Sequence, residues 1–478
     1  MRIHMTAIGG TGMGALAGLL GEAGHEVRGS DGPLYPPMST LLAELGVPLF
    51  EGYAASNLDW DPDLVVIGNT CKSDHVELLA ARERDLRCVS FPQLLGEMFL
   101  AERWPVVVAG THGKTTTTSL MAHVLRHAGI DPGYLIGGIP VDFGRSFALG
   151  SGEPFVVEGD EYDSACFDKR PKFVHYAPRT AIVTSIELDH VDIYDGIEDI
   201  ERAFAALVAE LPDADAPNAG HLVVCAGSRR AIDIARTSRA RVERYMVVEG
   251  DETAPPFADW IGRRTVINAS GRQRIEVMGI GGESFLFELP MVGTHNAENA
   301  LAVALAARGL GLSTAEIAAG LASFGGVKRR QELRALVGGI AIVDDFAHHP
   351  TAVARTLEAL RGVHGDGRLV AVYEPRSSTS RRNVMQGELV TALREADIAV
   401  IAPVYNLEAL PEDERLDRDS VAAALETRGT TARCPADVAS IVTQLRAELR
   451  SGDTVVVMSS GGFESLIPRL IDALEQEQ

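Results

Sequence analysis

Val106-Val107-Val108-Ala109-Gly110-Thr111-His112-Gly113-Lys114-Thr115-Thr116 is the stretch that decides the fold class of this 478-residue chain. Three valines in a row predict a strand buried on both faces, and the run stops at a glycine loop leading into a helix. A helix N-terminus presents unpaired N–H groups and the positive end of a dipole, and glycine lets backbone approach a phosphate closely. Lys114 is placed to reach β- and γ-phosphates, and the Thr115 hydroxyl to ligate magnesium. The pattern is a shortened one, because a full GxxxxGK[ST] loop would carry glycine where Val108 stands. Strand, GK[ST] and helix together favour a nucleotide site over an ordinary glycine turn. Its residues are Gly110, Thr111, His112, Gly113, Lys114, Thr115 and Thr116.

Outward from this loop, similar apolar runs recur at Leu64–Ile67, 181–183, 340–343, 369–372 and 454–457, with helical stretches between them. Buried parallel strands read this way, so the class is α/β. Two seams divide the chain. One lies at 101–105, where a helical stretch gives way to the strand before the glycine loop. The other lies at Gly325 and Gly326, after a helix whose Ser313 and Glu316 have capping-box spacing. Three domains are expected, over 1–103, 104–325 and 326–478, in keeping with the length. Polar, proline-bearing loops are expected at 213–220 and 253–256.

Hydrophobic residues make up 46% of the chain and charged residues 23%, the balance of a folded protein rather than a disordered one. The formal net charge of -22 repels nucleic acid and anionic lipid, leaving small phosphorylated molecules held by local Lys, Arg and N–H groups. Five cysteines (Cys71, Cys88, Cys166, Cys225, Cys434) are scattered without a CxxC, as expected of reduced thiols rather than a disulfide framework or a zinc site. The apolar start reads as a short strand and a glycine turn with no clear cleavage site, not as a signal peptide. No apolar run reaches about 18 residues, so no membrane span is expected.

Other motifs carry chemistry. Gly9-Gly10-Thr11-Gly12-Met13-Gly14 follows a strand over 3–8 and opens a helix, and Asp31 ends a second strand where a Rossmann unit places its ribose contact. This run serves equally a ligand site or a packed turn, and it keeps a nicotinamide-dependent oxidoreductase as a rival reading. Glu158 and Asp160 close one central strand, and Glu187, Asp189 and His190 follow another. Carboxyl ends of parallel strands are where ligands bind, and hard oxygens with a histidine suit magnesium; the alternative is solvated loop charge. Asn296 and Asn299 either cap a helix over 300–310 or meet a purine edge. Arg329 and Arg330 form part of a basic run that is either a solvated face or a phosphate clamp at the domain seam. His348 and His349, after Asp344 and Asp345, lack metal-ligand spacing along the chain.

In order, GGTGMG, GTHGKTTT, EGDEYD, ELDHVDIY, HNAEN, GVKRRQE and DDFAHHPTA resemble the Mur ligase family along essentially the whole chain, in the branch acting on UDP-N-acetylmuramate. FDKRPKFVHYAPRTAIVTSIELDHVDIY from Phe167 and YEPRSSTSRRN from Tyr373 are more similar to that branch's peptide-joining members than to those that add L-alanine. The resemblance implies a Rossmann-like N-terminal domain for the UDP substrate, a P-loop-type central ATPase domain, and a Rossmann-like C-terminal domain for the peptide. It implies ATP-dependent, cytoplasmic ligation of UDP-N-acetylmuramate to L-alanyl-γ-D-glutamyl-meso-diaminopimelate through an acyl-phosphate, in peptidoglycan recycling. L-alanine ligation in biosynthesis is the alternative.

Carried over position by position, the resemblance gives Gly10, Gly12 and Asp31 to the UDP substrate. Lys114, Glu158 and His190 become catalytic, with Thr115, Glu158 and His190 holding Mg2+. Asn296 and Asn299 face adenine, Arg330 and Asp345 clamp ATP, and Arg376 meets the peptide. The base that takes the amine proton is either His190 or a metal-held water. Two stretches depart from the family pattern, GNTCKSDHVE from Gly68 and SSGGFESL from Ser459.

Overall fold

Each valine-rich run is a buried strand, and three sheets organise the chain. The computed structural model describes residues 1–35, 38–250, 252–253, 256–266, 272–364 and 367–476, so the loop expected at 253–256 lies partly outside the described residues. The first sheet has five parallel strands in the order Leu49–Glu51, Glu26–Asp31, Arg2–Thr6, Leu64–Ile67, Arg87–Ser90. Its first strand ends two residues earlier than expected, because Ala7 turns into the left-handed region at φ 60.

The central sheet has ten strands. From Gly133–Leu135 through Pro154–Gly159, Trp104–Ala109, Thr180–Val183, His221–Cys225 and Arg241–Glu249 to Trp260–Val266, every pairing is parallel. The far edge departs from the parallel expectation, since Gln273–Gly279 and Ser284–Leu289 run antiparallel. Burial along Gln273–Gly279 alternates residue by residue, as a sheet edge with one wet face requires. The last sheet is parallel from Ile340–Asp345 through Thr454–Met458, Leu369–Tyr373 and Ile398–Ile401 to Thr431–Arg433, with Glu332–Val337 antiparallel at its edge.

Side-chain alternation decides what the central strand packs against. Val106 and Val108 join a core with the helices Lys114–His127 and Thr294–Gly309, whereas Val107 and Ala109 join a second core on the other face. That second core continues into Leu16, Leu94 and Leu95 of the N-terminal sheet's helices, so the first seam is apolar and packed. Among the described residues, no helix is long and apolar enough to cross a membrane.

One polar group is sealed inside the N-terminal unit. Glu77 is fully buried and accepts hydrogen bonds from Thr6 Oγ1 (2.7 Å), Ser30 Oγ (2.6 Å) and Asn57 Nδ2 (2.7 Å), with His4 Nε2 at 3.1 Å. Burial alone would raise its pKa, but these partners, His4 foremost, hold it down at about 2 against an ordinary 4.5. A depressed carboxylate stabilises the fold above its ordinary value, and the contribution disappears as pH falls through about 2. The shift corresponds to about 3 kcal/mol. We expect Glu77→Gln to melt at least about 5 °C lower at pH 7, with the two curves converging as pH is lowered from 5 towards 2. Equal melting temperatures at pH 7 would show that the ionised network is not stabilising.

Candidate active site

The loop after Trp104–Ala109 is shaped by two glycines. Gly110 (φ 138) and Gly113 (φ 82) adopt conformations closed to other residues, and a Cβ at Gly113 would stand 2.6 Å from Asn299 Oδ1. Thr111 N–H donates to Ser185 O (2.9 Å) and His112 N–H to Ser185 Oγ (3.1 Å), which ties the loop to the next strand's end. Those two N–H groups are therefore engaged. The donors free of intrahelical partners are those that open the helix Lys114–His127.

Lys114 Nζ donates to Gly110 O (2.9 Å) and Glu161 Oε2 (3.1 Å), and lies 3.9 Å from Asp160. Burial opposes its charge, but Glu161 and Asp160 outweigh that and hold its pKa above the ordinary value. Thr115 Oγ1 donates to Glu158 Oε2 (3.2 Å), and Glu158 Oε1 accepts from Gly137 N–H (2.6 Å). Burial, reinforced by Asp160, pushes Glu158 upward, so this carboxylate is short of positive charge. His190, in the left-handed region at φ 53, lies 3.5 Å from Glu161 Oε1 and tilts against Tyr162. Glu161 thus links Lys114 to His190, a connection the sequence reading did not assign. Its signal was the acid-rich run 158–163, in which Glu161 alone is fully buried beside a lysine.

Arg330 comes from beyond the second seam and donates to Thr115 Oγ1 (3.2 Å), so the third domain reaches the glycine loop. Its guanidinium sits 4.8 Å over the Phe346 ring, and desolvation of this half-buried side chain lowers its pKa against the pull of Asp345 and Glu158. Asp345 accepts from the N–H groups of Gln331 (2.8 Å) and Ala347 (2.7 Å), and burial raises its pKa. Arg329 (φ 59) and Gln331 (φ 50) flank Arg330 in left-handed conformations, so the crossing is a sharply turned one. The basic run is therefore no solvated face at Arg330.

Between these domains lies a cleft bordered by Gly113, Thr116, Asn296, Asn299, Arg330 and Asp345, among others. Asn296 and Asn299 are both buried within the helix Thr294–Gly309, which starts earlier than expected and is capped by Gly293. The capping alternative for them is overturned, because Asn296 Nδ2 instead donates to Val292 O (2.7 Å).

Residues 187–189 also join the two domains. Thr351 Oγ1 donates to Glu187 Oε2 (2.6 Å) and Thr379 Oγ1 to Asp189 Oδ1 (2.6 Å) across the two domains. Arg376 lies 3.8 Å over the Tyr405 ring and 3.5 Å from Glu374 Oε1. The divergent C-terminal loop is held by Arg329, which donates to the carbonyls of Ser459 and Gly461 (both 2.7 Å). In the first domain, Gly10 caps the opening helix and Gly12 lies in its first turn. Asp31 accepts from Gly9 N–H (2.6 Å), Gly32 N–H (2.7 Å) and Tyr53 OH (2.9 Å), so its carboxylate holds the glycine turn in shape.

Three family models match the chain in succession: the Mur ligase family catalytic domain over 2–103, the Mur ligase middle domain over 108–307, and the Mur ligase glutamate ligase domain over 329–461. The chain is 38% identical over 479 aligned residues to the UDP-N-acetylmuramate–L-alanyl-gamma-D-glutamyl-meso-2,6-diaminoheptandioate ligase of Escherichia coli (strain K12), covering 100% of this chain and 99% of that one. The chain belongs to the Mur ligase family. A murein peptide ligase from Psychrobacter arcticus 273-4 has a similar crystal structure, at TM-score 0.72 and 36% identity, with 99% of each chain covered. A UDP-N-acetylmuramate–L-alanine ligase from Salinispora arenicola (strain CNS-205) is 36% identical, covering 99% of this chain and 88% of that one. Within the Mur ligase frame, Glu158 and Arg330 meet at Thr115 beside the glycine loop, while Asp31 and Arg376 lie in the outer domains.

Proposed function

We propose that this Mur ligase joins UDP-N-acetylmuramate to L-alanyl-γ-D-glutamyl-meso-diaminopimelate, hydrolysing ATP to ADP and phosphate, in the recycling of cell-wall peptide. The observation that carries the reading is the meeting of Lys114, Thr115, Glu158 and Arg330 at the domain seam. The acceptor rests on the full-length similarity to peptide ligases, to which the stretches from Phe167 and Tyr373 add support. The reading puts the enzyme where ATP and UDP substrates are found, in the cytoplasm, and five unpaired cysteines support it.

The chemistry follows from charge. The lactyl carboxylate attacks the γ-phosphorus, the bond to the β,γ-bridging oxygen breaks, and ADP leaves. Lys114 and Arg330 face the negative charge that accumulates there, as preorganised cations in a desolvated cleft. The peptide amine then attacks the acyl carbon, and the tetrahedral intermediate expels phosphate as the amine loses a proton. His190, near the rim beside Glu161, is the base this chain offers. Thr115 and Glu158 supply hard oxygens and an undercompensated buried carboxylate, which fits Mg2+, with His190 as a third ligand in the alternative role. Such an ion neutralises phosphate charge when bound. Asn296 and Asn299 border the part of the cleft suited to adenine, Asp345 orients the segment around Arg330, Gly10, Gly12 and Asp31 shape the UDP site, and Arg376 attracts a peptide carboxylate.

The deciding assay is phosphate release from ATP with UDP-N-acetylmuramate and either the tripeptide or L-alanine. We expect release with the tripeptide and a product heavier by the peptide minus water. Release with L-alanine alone would make the enzyme biosynthetic.

A further inference from the structure

His349 was unremarkable in the sequence, yet folding brings it to two residues of another domain. His112, in the glycine loop, has its Nε2 3.4 Å from Glu187 Oε2, and His349 Nδ1 lies 3.9 Å from the same oxygen. One donor atom from each of the three lies within 4.8 Å of the other two. Tetrahedral Zn–N and Zn–O bonds of about 2.0–2.1 Å place neighbouring donors about 3.3–3.4 Å apart, so two of the three separations already approach that value.

The protonation pattern points the same way. His349 Nε2 lies 3.2 Å from the Leu188 carbonyl, an acceptor, which puts the proton on Nε2, so Nδ1 carries the lone pair, which meets a long contact from Thr351 N–H (3.3 Å) on the side of Glu187. A backbone carbonyl holding the remote N–H is the usual orienting contact of a metal-bound histidine. His112 Nε2 is buried without a hydrogen-bond partner that meets normal geometry. Its ring stands 4.6 Å from that of His349, an approach two imidazolium ions would resist. The nearby cation, Arg355, is paired with Glu298 at 3.6 Å. Two imidazoles and one carboxylate suit a borderline transition cation far better than magnesium, which favours oxygen donors.

We propose that His112, Glu187 and His349 form a second cation site, selective for Zn2+ and its chemical relatives and separate from the magnesium position at Thr115 and Glu158. His112 borders the nucleotide cleft and His349 a second cleft in the C-terminal domain, so an ion here ties the domains together. Glu187 keeps a side-chain exposure of 32%, which gives the ion a route from solvent. Bound metal holds the domains closed and slows release of products, so the site is inhibitory.

Cobalt is the probe, added to the full chain in excess magnesium so that oxygen-donor sites are filled. One Co2+ per chain with intense tetrahedral d–d absorption, displaced by Zn2+, is expected. His349→Gln and Glu187→Gln should each weaken Co2+ binding at least about tenfold, while Glu158→Gln keeps the band. Absence of the band in the unmodified protein, or its survival in either of the first two variants, overturns the proposal. Anomalous scattering at the zinc edge from crystals of the unmodified protein decides independently of variant folding. A peak between the three side chains supports the site, and a peak only elsewhere sinks it.

Discussion

Lys114→Ala should lower kcat for tripeptide-dependent phosphate release by about 10³-fold, with the substrates still bound. The ammonium is the charge nearest the opening of the helix Lys114–His127, and Glu161 and Asp160 keep it protonated beyond the physiological range. It therefore offers a fixed positive charge where transferring phosphoryl oxygens gather negative charge, an interaction stronger in the transition state than in the ground state. The loss should fall on kcat more than on KM. Removing the lysine also leaves Glu161 buried beside Asp160 without its partner, so folding must be checked separately. Lys114→Arg serves as that check, because it keeps the charge for the carboxylates while moving it off the phosphate geometry. A folded Lys114→Ala enzyme retaining kcat within tenfold would remove the ligase mechanism and revive a binding role for the N-terminal glycine run.

How much of this could be read from residues alone depended on the range of the interactions. The strand at Leu64–Ile67 and the Ser313–Glu316 capping box were legible because both are set by neighbours in sequence. The antiparallel edge at Gln273–Gly279 was not, since strand direction is chosen by how the chain returns and not by the apolar count. At the site, the glycine loop announced itself because phosphate chemistry needs residues in one short run. Glu161 was hidden among three other acids, and only the tertiary approach of Lys114 distinguishes it. The pairing of His112 with His349 was likewise invisible, because the two belong to domains that meet only after folding.

Arg330 is where that tertiary dependence is sharpest, and its replacement should be the second most damaging change. In a run of three basic residues the sequence cannot say which one turns towards the glycine loop. The fold half-buries Arg330 by turning Arg329 and Gln331 into left-handed conformations on either side, which drives its guanidinium over Phe346 and onto Thr115. Burying an arginine is costly unless its charge is used, and Asp345 and Glu158 only partly compensate it, as its lowered pKa records. A polyphosphate held by the glycine loop would complete that compensation, so nucleotide binding and domain closure are coupled through this one side chain. We expect Arg330→Ala to cost about 10²–10³-fold in kcat, and Arg330→Lys to recover little, because a lysine cannot bridge Thr115 and phosphate with a planar fork. The coupling has its own readout. In the unmodified enzyme, ATP should compact the molecule in small-angle X-ray scattering, and in Arg330→Ala it should bind with the domains remaining apart. An Arg330→Ala enzyme that compacts normally on adding ATP would separate closure from this residue and leave it a purely electrostatic part.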